Sequence, residues 1–268
     1  MSERKQNKKI DNKAPVIVGV GDFTDRSKED GLNPQELLAK ASKLAIKDSG
    51  IKDLNKQIDY VGVVRFSVDF LTATNQSSFQ YSNFPRTLSN KLGIQATNEV
   101  YATMGGNSPQ VLLEDALIKI SSGETDCALL AGGEALQTMI ARLKAGMSLD
   151  WLDEPGGNPE MIGNNAIGFS EHEKIHGMDL PTNVYPLFAQ SLRKKDNKTA
   201  EQHLKECSSL FSEFSKVASN NPYSWFPTFR SEEEIAAVTK NNRLVGYPYT
   251  KYLNLSLIHI SEPTRRTQ

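Results

Sequence analysis

The sequence predicts a layered α/β domain, and three observations predict it. Strand-like and helix-like segments alternate from Pro15 to about Ala131. The strand-like segments are short β-branched runs without a polar face, the pattern of strands covered on both sides. The helix-like segments carry start and stop signals at their ends, so each is a bounded element between strands.

Pro15 to Val20 (Pro-Val-Ile-Val-Gly-Val) reads as the first buried strand. Asn33 and Pro34 then open a helix, Asn as N-cap and Pro as first helical residue. Leu37, Leu38, Ala41, Leu44 and Ala45 share one face of it, and Gly50 stops it. Ile58 to Phe66 is the second strand. A polar loop around Thr72 to Tyr81 leads to a short helix near Pro85 to Leu92, and Asn98 to Met104 is the third strand. Gly105-Gly106-Asn107-Ser108-Pro109 turns into a helix carrying Val111, Leu112, Leu113, Ala116, Leu117 and Ile120, which ends at Gly123. Ser108 reads as its N-cap, with Pro109 in the first turn. Asp126 to Ala131 is the fourth strand, closed by Gly132-Gly133-Glu134.

From about Lys144 the pattern breaks. Gly146 to Asn165 is rich in Gly, Pro, Asn and acid and reads as a loop or an excursion from the core. Helical patterns return at Leu187 to Lys194 and at Thr199 to Ala218, where Leu204, Leu210, Phe211, Phe214 and Val217 form an amphipathic stripe expected to pack. Glu232-Glu233-Glu234 after Ser231 reads as a capped helix start. The division expected is a disordered tail at 1–13, an α/β unit at 14–145, a loop region with its return segment at 146–254, and a distinct tail at 255–268.

Composition excludes several functions. Hydrophobic residues at 38%, charged residues at 24% and a net charge of −1 describe a globular protein with no global attraction to nucleic acid or anionic membrane. No apolar run approaches the ~20 residues that span a bilayer, and the start offers no apolar secretory segment. Cys127 and Cys207 are the only cysteines, too few for a disulfide framework or a cysteine zinc site, so a cytoplasmic location is expected. The Asn75 and Asn197 glycosylation patterns then read as chance.

Several segments, in order, resemble the thiolase superfamily, in particular its acetyl-CoA acetyltransferase branch. They are Pro15-Val-Ile-Val-Gly-Val-Gly-Asp-Phe, Gly105-Gly-Asn-Ser-Pro-Gln with its apolar helix, and Gly123-Glu-Thr-Asp-Cys-Ala-Leu-Leu-Ala-Gly-Gly-Glu-Ala. Phe214-Ser-Lys-Val-Ala-Ser-Asn-Asn-Pro-Tyr-Ser-Trp and Asn242-Arg-Leu-Val-Gly-Tyr-Pro-Tyr-Thr-Lys complete the set, which covers roughly residues 14 to 254. The resemblance implies one αβα half of a two-half protein, with an inserted, mainly helical loop region. It also implies an acyl-CoA ligand, Claisen-type acyl transfer, and a homo-oligomer or a small partner protein when intact. No nucleic acid, membrane span, metal or bound cofactor is implied; CoA or acyl-CoA enters as substrate or ligand.

In such proteins a cysteine sits at the turn after the third strand, where the helix end activates its thiolate. Here that turn is Thr103-Met104-Gly105-Gly106-Asn107-Ser108, without cysteine. Cys127 falls in a core strand and Cys207 on a loop-region helix, and neither is placed to substitute. A non-catalytic CoA or acyl-CoA binding relative is therefore the alternative to an acyltransferase. The final Leu255 to Gln268 resembles the in-frame translation of a sequencing adapter, in which case the second half is missing from the chain, His259 has no meaning, and this fragment is expected to be inactive.

Other motifs are weaker. His172-Glu173-Lys174-Ile175-His176 satisfies H-E-x-x-H, in which two histidines one helical turn apart bind zinc and the glutamate acts as base. Gly177 and Pro181 shorten any such helix, while Asp179 and Thr182 stand where the extended pattern needs glycine and histidine. Gly19-Val-Gly-Asp-Phe-Thr starts like a dinucleotide fingerprint, but Thr24 replaces its third glycine, and Asp25, Glu29 and Asp30 come too soon for a ribose contact. Trp151, Trp225, Phe226 and Phe229 could line an acyl channel or pack the loop region. Arg193, Lys194 and Lys195 could meet CoA phosphates or form a solvated helix end.

Overall fold

The structure is a computed structural model that describes residues 14–27, 31–67, 81–164, 168–222, 224 and 226–254. The tail at 1–13, Glu29 and Asp30, the loop around Thr72 with Asn75, Trp225 and the adapter-like 255–268 with His259 lie outside the described residues. The chain forms two compact units, Met1–Asn165 and Ala166–Gln268.

In the first unit a parallel sheet joins β1 (Tyr60–Val64), β2 (Asn98–Ala102), β3 (Ala128–Ala131) and β4 (Glu160–Ile162) in the order β3-β1-β2-β4. Its helices are α1 (Pro34–Asp48), α2 (Phe84–Leu92), α3 (Ser108–Ser122) and α4 (Leu136–Lys144). The chain leaves β1 for β2 on one side, then returns past β1 to β3 on the other. With a fixed crossover hand, this reversal puts successive helices on opposite faces. Side chains alternate accordingly along each strand. Val61, Val63, Tyr101 and Leu129 pack with Leu38 of α1, Leu88 of α2 and Met139 of α4, whereas Tyr60, Val100 and Ala102 pack with Leu112 and Ala116 of α3. The mixed α/β fold expected from the sequence is the one observed.

Local chemistry explains the elements. Asn33 accepts the Glu36 N–H at 2.9 Å while the Glu36 carboxylate accepts the Asn33 N–H at 3.2 Å, closing a capping box over α1. Gly123, with φ +81°, ends α3 in the left-handed conformation that a side chain disfavours. Gly62 lets α3 approach the sheet: a Cβ there would lie 2.7 Å from Leu112 Cδ1. Phe66, Tyr81 and Phe84 meet edge to face at the centre of the larger core, with Phe84 centroids 4.6 Å from both others.

Three sequence expectations change here. Pro15 to Val20 is not a buried strand: Val16, Ile17 and Val20 are exposed, Ile17 by 79%. Among the described residues no strand lies along the outer edge of β3 to pair with it. The segment instead lies on α1, where Val20 N–H donates to Asp48 Oδ2 at 2.9 Å, and a Cβ on Gly19 or Gly21 would collide with the carbonyls of Ala45 or Ala41. That packing accounts for the two glycines that start like a dinucleotide motif. Second, Gly146 to Asn164 is no mere excursion. Trp151 is 3% exposed in the larger core, its carbonyl accepts from Gln35 Nε2 at 2.6 Å, and β4 extends the sheet. Third, Ser108 is not the N-cap of α3. Asn107 holds that position in a helical conformation without a side-chain cap, and Ser108 N–H donates to Gly105 O at 3.1 Å.

The second unit contains α5 (Glu171–Ile175), α6 (Pro181–Lys195), α7 (Ala200–Ser219), α8 (Glu232–Ala236) and an antiparallel hairpin of β5 (Leu244–Gly246) and β6 (Tyr249–Thr250). Capping boxes at Thr199 and Ser231 start α7 and α8. The apolar stripe expected on α7 is only partly inward: Leu210 and Val217 are exposed, while Ser208, Ser212 and Ser215 are buried. Small serines admit a close neighbour, and Ser212 Oγ donates to Arg230 O at 2.8 Å while Ser215 Oγ accepts the Arg230 N–H at 3.0 Å.

Candidate functional site

In a parallel sheet whose strand order reverses, ligands bind beyond the carboxyl ends of the strands near the reversal. Here that edge carries Arg65 to Ser67 after β1, Thr103 to Asn107 after β2, Gly132 to Glu134 after β3 and Gly163 after β4. Glu134 ties two of these loops together, its carboxylate accepting Ser67 N–H at 2.8 Å and Ala135 N–H at 3.1 Å. Arg65 lies over the Tyr101 ring at 4.7 Å.

The turn between β2 and α3 presents Met104, Gly105, Gly106 and Asn107 to solvent, flanked by buried Thr103 and Ser108. Thr103 N–H donates to Ile162 O at 2.9 Å, holding the turn against the end of β4. Gly163 sits over the Thr103 hydroxyl with φ +97°, so tightly that a Cβ there would collide with Oγ1. Ser108 Oγ is similarly covered, lying 3.0 Å from where a Cβ on Gly105 would stand. Among the described residues no imidazole or carboxylate is hydrogen-bonded to either hydroxyl, the arrangement that would activate one as a nucleophile.

Beneath α3 a charged network fixes the helix to the sheet. Tyr60 Oη donates to Asp115 Oδ2 at 2.8 Å, and Lys119 Nζ lies 3.2 Å from Asp115 and 2.6 Å from Glu160. Burial, with Asp115 beside it, pushes the Tyr60 hydroxyl far above its ordinary value, so it stays protonated. Burial pulls Lys119 down, but its bonds to Glu160 and Asp115 outweigh this and leave it raised. On the other face Asn83 Nδ2 donates to Glu99 Oε2 at 2.9 Å, and Arg86 pairs with the same carboxylate. Both networks use their charges internally, and none of these bonds reaches residues 103–108.

The remaining candidates lie elsewhere. Cys127 immediately precedes β3, level with the opening of the parallel strands. Five strand residues at ~3.3 Å each put it about 16 Å from the turn along the sheet. A groove of about 450 Å³ lies at this amino end, lined among others by Val16, Val18, Ile120 and Cys127, and so is separate from the carboxyl edge. Burial, then Asp59 and Asp126, raise the Cys127 thiol, opposite to an activated cysteine.

His172 and His176 stand with ring centroids 4.8 Å apart, but α5 spans only Glu171–Ile175. Glu173 is its capping carboxylate, accepting the Ser170 N–H at 2.6 Å and hydroxyl at 2.8 Å. Those bonds lower its pKa and turn it away from the base role H-E-x-x-H assigns. Among the described residues no group of three or more His, Cys, Asp and Glu is placed to hold a metal. Trp151 is core in the first unit, and Phe226 and Phe229 belong to the second. Arg193 donates to Gln190 Oε1 and Lys198 O, both at 2.7 Å, while Lys194 and Lys195 are set at the end of α6.

Sequence reasoning missed one cluster. Cys207 and His203, one turn apart on α7, meet Tyr249 of β6: His203 Nε2 lies 2.7 Å from Tyr249 Oη and 3.7 Å from Cys207 Sγ. The spacing of histidine and cysteine by four was the available signal; the tyrosine arrives only through the hairpin.

No described helix is long and apolar enough to cross a membrane. No family model and no curated protein matches the chain. Among solved structures it is similar to the crystal structure of a monomeric SCP2-thiolase like protein type 1 from Mycobacterium smegmatis, at 28% identity and a TM-score of 0.65, over 90% of this chain and 43% of that one. The chain thus has a thiolase-like fold and spans less than half the length of that structure.

Proposed function

We propose that this chain belongs to a thiolase-like protein of the acyl-CoA acyltransferase class, and that it binds acyl-CoA without forming an acyl-enzyme at the β2–α3 turn. The observation carrying this reading is the turn itself: exposed backbone from Met104 to Asn107, with the Thr103 and Ser108 hydroxyls covered by glycine backbone. The acyl-CoA ligand rests on the thiolase-like similarity. Exposed N–H groups at the start of a helix suit a thioester carbonyl or an anion. Acyl transfer by a covalent route needs a nucleophile with a base in reach, and the turn supplies neither. The similar structure is of a monomeric protein, and a single chain is the assembly proposed here.

The test is to titrate the protein with CoA and acetyl-CoA by calorimetry, then incubate it with acetyl-CoA and map adducts by peptide mass spectrometry. Saturable binding with no acetyl group on residues 103–108 is expected. An acetyl group mapped to Thr103 or Ser108 would restore the covalent mechanism, and no binding with the ligand in large excess would remove acyl-CoA from the reading.

A further inference from the structure

We propose that Cys207, with His203 and Tyr249, forms a thiol modification site at which a small disulfide is exchanged into a mixed disulfide with the protein. The three side chains are half-buried and converge on one atom, His203 Nε2. Gln190 Nε2 also donates to Tyr249 Oη at 3.4 Å. Nε2 is the ring nitrogen that faces both Tyr249 Oη and Cys207 Sγ, and in the tautomer protonated at Nδ1 its one lone pair can take a proton from either, one at a time.

This pairing supplies what the thiol lacks. Burial raises the Cys207 pKa, Glu206 adds to the rise, and Lys198 opposes it, so at neutral pH the group is a thiol that needs a base. In the exchange, the S–H proton passes to His203 Nε2 as sulfur attacks one sulfur of the disulfide. The protein–sulfur bond forms, the original S–S bond breaks, and the leaving thiolate takes the proton back from the imidazolium as free thiol. Cys207 is oxidised and the departing sulfur reduced, with no other reagent. Tyr249 is a positioning residue: when Nε2 gains its proton, Oη can turn to accept the new N–H.

Two features favour exchange at sulfur over acyl transfer. The Cys207 N–H lies inside α7 and is committed to the helix, so it is unavailable to stabilise an oxyanion. Exchange at sulfur needs no such donors. Cys127 is the internal control, since it is also half-buried but sits beside Asp59 and Asp126 instead of an imidazole.

The experiment follows release of 4-thiopyridone from 4,4′-dithiodipyridine by the full-length chain, with Cys127→Ser and Cys207→Ser resolving the two thiols. The expected result is that Cys207 reacts at least about tenfold faster than Cys127 in the folded protein, and that His203→Gln in the Cys127→Ser background removes about tenfold of that rate. Tyr249→Phe is expected to slow it less. Unfolding would expose Cys207 and speed its reaction, so a slowed rate reports the lost base rather than a lost fold. In denaturant the two thiols should react alike. Equal rates in the folded protein, or an unchanged or faster Cys207 in His203→Gln, would overturn the proposal.

Discussion

Met1–Asn165 and Ala166–Gln268 bury different kinds of side chain. At the centre of the first are Tyr60, Tyr101, Phe66, Phe84, Leu38, Leu88 and Leu112, all essentially inaccessible. The second fully buries Ile235, but around it stand buried Asn242, Thr250, Ser208, Ser212 and Ser215. Asn242 Nδ2 donates to the carbonyls of Glu234, Ile235 and Ala237, at 3.2, 3.0 and 2.8 Å, and its Oδ1 accepts Tyr252 N–H at 2.9 Å. Thr250 Oγ1 donates to Ile235 O at 2.7 Å. The first unit gains from removing apolar surface from water. The second is specified by polar groups whose bonding capacity is used, and each is costly to orphan.

The largest expected effect tests the apolar side of this contrast. Phe84→Ala removes the ring that joins Phe66 and Tyr81, and should destabilise the first unit by about 3–5 kcal/mol, read as faster hydrogen exchange in peptides from residues 31–67 and 84–131. Exchange confined to the immediate neighbours of residue 84 would show that this cluster is not the centre of a cooperative core. Next comes Asn242→Ala, which takes the amide donor from the Glu234 and Ala237 carbonyls and the acceptor from Tyr252 N–H, while Ile235 O keeps Thr250 Oγ1, a loss of about 2–3 kcal/mol. Hydrogen exchange should rise in α8 and the hairpin and stay unchanged in the sheet. Asn242→Asp should be no milder, because it keeps the acceptor but aims a carboxylate oxygen at carbonyl oxygens.

The same contrast explains what the sequence could reveal. In the first unit, periodicity and punctuation point in one direction. Asn33-Pro34, Gly123 and the runs around Val61, Val100 and Leu129 lead to α1, α3 and the sheet strands with boundaries shifted by only a few residues. Pro15 to Val20 failed for a physical reason, since apolar content marks a segment's capacity to be buried but not whether a neighbouring strand is there to bury it. In the second unit the same logic found only part of the inward side of α7, because serines that bond to Arg230 look like a surface in sequence. At the candidate turn the absence of cysteine from residues 103 to 108 is legible in the sequence alone. The covering of Thr103 by Gly163 is not, as it depends on β4, a three-residue strand in a stretch rich in loop-forming residues. The His203–Tyr249–Cys207 meeting depends likewise on a hairpin that follows α7 by some thirty positions.

Two smaller effects sharpen the comparison on a single helix. Ser212→Ala removes one hydrogen bond to Arg230 O and adds no bulk, so a loss of about 1 kcal/mol is expected, measured as a shift in the denaturant midpoint of exchange in α7 and α8. Val217→Ser is the counterpart. Hydropathy alone ranks it the more damaging change, since it replaces a residue of the apolar stripe, yet Val217 is 71% exposed and its side chain has little apolar area left to lose. The expected effect is within about 0.5 kcal/mol of zero, in keeping with an open helix surface. Helix propensity does not decide the outcome, because serine and valine are close on that scale. If Val217→Ser instead costs more than Ser212→Ala, the valine side of α7 is covered in the protein in solution, and the second unit has an apolar partner that its own described residues do not supply.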